Sequence, residues 1–198
     1  MAIIDWLNYL SATKLLSPRP HVIEAHQFLG GNSHNKIAVD CGCGTGRDTL
    51  FLLEKGYQVY AFDKNFQSLE KLAQHPLAAS SPKLDIKLST FDEYPFPKAH
   101  LINASACLFY SSRSEFTTLW RNISDTLLNN GIFCGHFLGS DENIENEQTK
   151  ILTHNKNELE QLLSPFYIIS WKEKRELSAQ LTGNQHLWKV HTIIAIKK

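Results

Sequence analysis

The stretch that decides the fold is Ile37 to Asn65, IAVDCGCGTGRDTLFLLEKGYQVYAFDKN. It opens on an apolar run that ends in Asp40. Glycines then stand at alternate positions, Gly42, Gly44 and Gly46, ahead of Arg47 to Lys55, whose apolar residues fall at helical spacing before Gly56. A second apolar run, rich in β-branched and aromatic residues, leads through Tyr57 to Asp63. Read as a strand (Lys36 to Asp40), a helix and a second strand, these residues make a βαβ unit. In an open parallel sheet ligands bind beyond the carboxyl ends of the strands, where strand order reverses, and the turn from Asp40 to Gly46 occupies that place.

The glycine spacing selects among ligands. Glycine permits positive φ and carries no Cβ, so a ligand can approach the backbone beside the free amides of the helix start. The dinucleotide fingerprint GxGxxG, counted from Gly42, needs a third glycine at position 47, and Arg47 stands there. The spacing is GxGxG, preceded by Asp40, an acid that suits an ammonium group and repels a pyrophosphate. Asp63, 23 residues beyond Asp40, ends the second strand where a carboxylate accepts from both hydroxyls of a ribose. Ribose, ammonium and no pyrophosphate together imply S-adenosyl-L-methionine.

Outward from this unit the alternation continues. Ile3 to Leu10 has helical spacing; SPRP, Ser17 to Pro20, stops it and starts a second helix over His21 to Leu29, which Gly30 and Gly31 end. Downstream the pattern predicts a helix from Phe66 to Gln74 and strands at Leu84 to Ser89 and Leu101 to Ser105. A helix from Ser114 to Leu128 and a strand from Gly131 to Leu138, after an Asn-Asn-Gly turn, follow. Ser140 to Gln148 reads as a polar surface loop or lid, and Asn155 with Glu158 reads as a capping box for a short helix to Leu163. Two final apolar segments, Phe166 to Trp171 and Trp188 to Ile196, have no helix between them and read as an antiparallel pair closing one edge. The expected fold class is α/β, a Rossmann-like seven-stranded, mostly parallel sheet with helices on both faces and an antiparallel C-terminal strand pair. One domain spans 1–198: N-terminal helices over the pocket (1–31), a cofactor-binding core (36–138), then lid loop, helix and closing strands (139–198).

VDCGCGTGRDTLFLLEKGYQVYAFDKN resembles the first motif of class I S-adenosylmethionine-dependent methyltransferases, most closely the small tellurite-resistance and thiopurine methyltransferase-like group. The likeness extends through SPRPHVIEA, LINASACLFY, LLNNGIFCGHFLG and a closing pair with HLW and IIAIKK. It implies that Gly42, Gly44 and Gly46 contact the methionine part, Asp40 its ammonium and Asp63 the ribose, with Lys64 beside the adenine. Phe91 and Asp92 match the adenine contact after the third strand; Asn103 and Ala104 match the fourth-strand end near the sulfonium. Arg19 is favoured over Arg47 for the cofactor carboxylate. Where similar proteins carry further histidines around the closing tryptophan, this chain has Lys189 and Thr192.

Substrate-pocket candidates are Tyr110, after the fourth strand, and His136, at the end of the fifth, either of which also reads as ordinary packing. The structural reading is favoured for His186 and His191, and Phe116, Leu119 and Trp120 read as core. Lysine plus arginine number 20 against 20 acids, which leaves no net field for nucleic acid or an anionic membrane. The NASA segment lacks an Asn-Pro-Pro-Tyr type motif, and no Pro-Cys pair is present. Cys41, Cys43, Cys107 and Cys134 lack zinc-site spacing and read as reduced, mostly buried thiols, so no metal is expected. The expectation is a cytoplasmic monomer that methylates a small molecule, a thiol or chalcogen oxyanion. A non-catalytic cofactor-binding protein and a nicotinamide-dependent oxidoreductase are the alternatives.

Overall fold

The computed structural model describes residues 17–139, 151–179 and 185–198. The expected helix at Ile3 to Leu10 and the loop at Ser140 to Gln148 lie outside them. In chain order the elements are α1 (Pro20–Phe28), β1 (Ile37–Cys41), α2 (Arg47–Glu54), β2 (Gln58–Asp63), α3 (Phe66–Ala73), α4 (Pro76–Ser80) and β3 (Leu84–Leu88). Then come β4 (Ala99–Ala104), a 3-10 turn (Leu108–Tyr110), α5 (Arg113–Thr126), β5 (Leu127–Gly139), α6 (Lys156–Leu162), β6 (Phe166–Ala179) and β7 (Gln185–Lys197).

The strands form one sheet in the order β3-β2-β1-β4-β5-β7-β6. The first five run parallel; β7 is antiparallel to both β5 and β6, as expected of the closing pair. Strand order runs outward from β1 to β3 on one side and from β4 to β5 on the other, so the switch point lies between β1 and β4. Both central strands are buried along nearly their whole length because helices cover both faces. Val22, Phe51, Leu52, Leu69, Leu72 and Ala78 carry α1 to α4 onto one face. Phe116, Leu119, Trp120, Ile123 and Leu159 carry α5 and α6 onto the other, where Trp120 Nε1 donates to Leu162 O at 3.0 Å.

Two local features differ from the sequence reading. Pro76, preset for a first helical turn, opens the unanticipated α4, whose end His75 caps by accepting from the Leu77 N–H. The Asn-Asn-Gly stretch interrupts β5 instead of preceding it. Leu127 already pairs with Ala99, Asn130 takes φ +63°, and pairing resumes at Ile132 opposite Leu101.

Candidate active site

A cavity of about 880 Å³ opens beyond the carboxyl ends of β1, β2 and β4. Its wall comes from residues 42–45, 62–65, 89–92, 105–107 and 109–111, from Arg19 and Arg47, and from the side of α5 bearing Ser114, Glu115, Thr118 and Leu119. Of the site residues expected from sequence, Arg19, Gly42, Gly44, Asp63, Lys64, Phe91, Asp92 and Tyr110 stand on this wall. Asp40, Gly46, Asn103, Ala104 and His136 do not.

The three glycines serve three purposes. Gly44, at φ +56°, has nothing within 4 Å of where a Cβ would point, and its face belongs to the cavity. Gly42, at φ +59°, lets the turn pass Cys107, whose Cβ a side chain would meet at 2.6 Å. Gly46 starts α2 in the left-handed conformation, and a Cβ there would overlap Leu72 on α3. It is therefore a helix-packing residue, off the cavity wall.

Asp63 ends β2 with its carboxylate fixed by two backbone amides, Gly44 N–H to Oδ2 at 2.9 Å and Asn65 N–H to Oδ1 at 2.8 Å. Each oxygen keeps a further lone pair for a ligand hydroxyl. Phe91 packs edge-on against Phe62 at 5.7 Å between ring centroids, and Phe62 stacks on Tyr94 at 3.8 Å, which sets the angle of that wall. The Lys64 ammonium lies 6.0 Å from the Tyr110 ring centroid.

Behind the wall lies a buried polar network. Asp40 accepts from Thr49 Oγ1 at 2.5 Å and from Asn103 Nδ2 at 2.7 Å. Asp48, in the first turn of α2, receives the Arg19 backbone N–H at 2.9 Å and its guanidinium. Burial, with Asp48 as an adjacent like charge, pushes the Asp40 carboxyl up to about 7. Asn103 spans Asp40 and Ser105, so its side chain is committed beneath the wall. Ala104 is fully buried, and beyond β4 the wall is formed by Ser105, Ala106 and Cys107, with Ala106 at φ +57°. His136 is half-buried on β5 opposite Thr192, its ring centroid 4.5 Å from that of His21. Burial lowers His21 to about 3 and holds it neutral.

Sequence reasoning missed Asp48, Ser105 and Cys107. The rule that ligands gather past a strand's carboxyl end pointed to them, since Ser105 to Cys107 follow β4 directly. All four cysteines are buried and free of disulfides, and burial raises their thiols well above the usual range. Among the described residues no group of three or more histidines, cysteines and acids is placed to hold a metal. No helix among them is long and apolar enough to cross a membrane.

A sheet of this order with its pocket at the switch point is the fold of class I S-adenosylmethionine-dependent methyltransferases. The chain is similar to the crystal structure of TehB from Haemophilus influenzae, at 19% identity and TM-score 0.79 over 98% of this chain and 67% of that one. It is also similar to a Burkholderia thailandensis 1,6-didemethyltoxoflavin-N1-methyltransferase solved with 1,6-didemethyltoxoflavin and S-adenosylhomocysteine. There the identity is 20% and the TM-score 0.69 over 98% of this chain and 81% of that one. For the magnesium protoporphyrin IX methyltransferase from Synechocystis with bound S-adenosylmethionine the identity is 13% and the TM-score 0.66, over 97% and 81%. Residues 38–131 match the family described as Methyltransferase domain. The match places a methyltransferase domain on residues 38–131, and the solved neighbours share the fold of nearly the whole chain. Comparison with proteins of curated function found no match.

Proposed function

We propose that this chain is an S-adenosyl-L-methionine-dependent methyltransferase acting on a small molecule, with a soft thiol or chalcogen oxyanion as the favoured acceptor. The observation that carries the reading is the continuity of one cavity, from Gly44 and Asp63 past Ser105 to Tyr110, large for a ligand pocket and so able to hold a small second molecule with the cofactor. A protein that only bound the cofactor would need no such extension. The solved methyltransferases of didemethyltoxoflavin and protoporphyrin also act on small molecules. Zero net charge fits an acceptor other than nucleic acid.

When bound, the cofactor supplies an activated methyl group on a positive sulfonium. The chain's own residues align and enclose. Asp63 accepts from the ribose hydroxyls, Gly44 gives the backbone room for the methionine part, Phe91 and Lys64 flank the adenine, and Asp92 accepts from its amino group. Arg19, fixed by Asp48, faces the carboxylate. Displacement from a sulfonium then requires the acceptor in line and water excluded. No histidine stands among the described wall residues, and Cys43 and Cys107 are held as thiols, so an acceptor that is already soft or anionic suits the site. His136 lies off the described wall.

Titration of the wild type and Asp63→Ala with S-adenosylhomocysteine, followed by a methyl-transfer screen of thiols and chalcogen oxyanions, tests this. Loss of the ribose bonds should weaken binding by about 1 to 3 kcal/mol. Cofactor binding with no turnover on any soft acceptor would favour the non-catalytic alternative.

A further inference from the structure

The two edges of the sheet are unlike. At one edge β3 is 5 residues long; at the other β6 is 14, pairs with β7 on one side, and among the described residues has no strand on its outer side. A long edge recruits another strand unless charge or a bulge opposes it. β6 has a bulge between Ile168 and Ser170, and beyond it Lys172, Glu173, Lys174 and Arg175 are exposed. Charges of one sign would repel a copy of the same strand, but here both signs occur, and their order decides the outcome. A two-fold axis perpendicular to the sheet sets β6 antiparallel to its copy, with opposed residues on the same face. With that axis at Lys174, the run Ser170 to Ser178, SWKEKRELS, matches itself. Serine meets serine, Trp171 meets Leu177, Lys172 meets Glu176 and Glu173 meets Arg175, each pair formed twice. Lys174 meeting its own copy is the single like-charge pair. Moving the axis to Glu173 sets Lys172 against Lys174 and Trp171 against Arg175; moving it to Arg175 sets Glu173 against Leu177. The matched run also begins where the bulge ends, and it reaches to the end of the strand at Ala179.

We propose that the outer edge of β6 takes a second copy of this chain, the two strands pairing antiparallel about Lys174 so that both sheets join into one. Backbone hydrogen bonds supply the affinity, and the Glu173–Arg175 pairs across the axis fix register and partner. The two-fold pairing uses both β6 edges, so assembly stops at the dimer. Because these charges are exposed, the association is salt-sensitive. The cavity lies beyond β1, β2 and β4, so the dimer is independent of the cofactor assignment and takes the place of the expected monomer.

Sedimentation equilibrium of the full chain over a range of protein and salt concentrations tests this. Wild type should show a monomer–dimer equilibrium that added salt shifts toward monomer. Glu173→Arg and Arg175→Glu should each weaken the dimer about tenfold, since two attractive pairs become repulsive. Both changes in one chain exchange the two charges and should restore the wild-type association. Lys174→Cys gives a second readout. Opposed residues of antiparallel strands have Cα atoms about 4.5 to 5.5 Å apart, within disulfide reach, and Lys174 opposes itself. Mild oxidation with diamide should therefore link Lys174→Cys into a covalent dimer and leave Lys172→Cys unlinked; the four native cysteines are buried and do not compete. A wild type that stays monomeric at every concentration overturns the proposal, and this needs no variant to fold. Assembly beyond the dimer, a charge exchange that fails to restore association, or equal linking at positions 172 and 174 also overturns it.

Discussion

Gly44 and Gly46, two residues apart and alike in sequence, separate binding from packing. Both hold positive φ, where an alanine costs about 1 to 2 kcal/mol. Only Gly46 also faces a neighbour, Leu72, and overpacking there adds about 1 to 3 kcal/mol. Gly46→Ala should therefore lower the unfolding free energy by about 2 to 5 kcal/mol, while whatever remains folded binds S-adenosylhomocysteine almost normally. Gly44→Ala should cost only about 1 to 2 kcal/mol in stability. It should weaken the cofactor far more than Gly46→Ala does, because its Cβ enters the cavity beside the amide that holds Asp63. Urea unfolding and calorimetric titration on the two variants decide this; the reverse ranking would return Gly46 to the ligand. Alternate glycines made the turn legible from the chain alone. Their division of labour was not, since it depends on Leu72 and Cys107, which reach the turn only in the folded molecule. Asp40 is the same case: its spacing fits an ammonium contact, yet the fold buries it behind the wall, bonded to Thr49 and Asn103.

Among the elements, α5 and α6 show how far local signals carry. Asn155 and Glu158 form the capping box expected from their spacing, with both reciprocal bonds made. The equivalent box at Ser112 and Glu115 opens α5 one residue before the expected start, because the Ser-rich approach offers several caps and only the fold selects one. Glu115 also lines the cavity, so this cap sets one wall of the site. Ser112→Ala should cost about 1 kcal/mol by loss of the cap. Its cofactor affinity should change little, since the bond lost lies on the solvent side of the helix start. An undiminished unfolding free energy in the alanine variant would show that Glu115 alone secures the turn. The short α4 escaped the sequence reading because five residues carry no periodicity, and the break in β5 was legible as Asn-Asn-Gly but not as an interruption within one strand.

For the whole molecule, alternating strands and helices announced a parallel sheet with an antiparallel edge, while the insertion of β7 between β5 and β6 rests on pairings far apart in the chain. The same packing makes stability depend on pH through buried titratable groups. Burial lowers His21 to about 3 and His154 to about 4, from 6.5. A base with a lowered folded pKa contributes stability that is present above its unfolded pKa and lost as pH falls, because the unfolded chain then binds more protons. Asp40 works the other way: raised from 3.8 to about 7, it favours the folded state below 3.8 and loses that contribution as pH rises through 7. Between pH 6.5 and 4 two strongly shifted histidines oppose one carboxylate, and His26, His100 and His191 are lowered as well. Acidification over this window should therefore destabilise the protein. His154 packs among aromatic rings, 4.6 Å from Phe116 and 5.8 Å from Phe137 between centroids, so His154→Phe removes the titration while keeping a ring in place. Urea unfolding at intervals from pH 7.5 to 4.5 should show a shallower acid decline for His154→Phe, by on the order of 3 kcal/mol at the acid end. It should show a steeper decline for Asp40→Asn, which lacks the opposing carboxyl. Parallel curves for wild type and His154→Phe would mean that His154 takes up its proton while folded, and that acid lability originates elsewhere in the molecule.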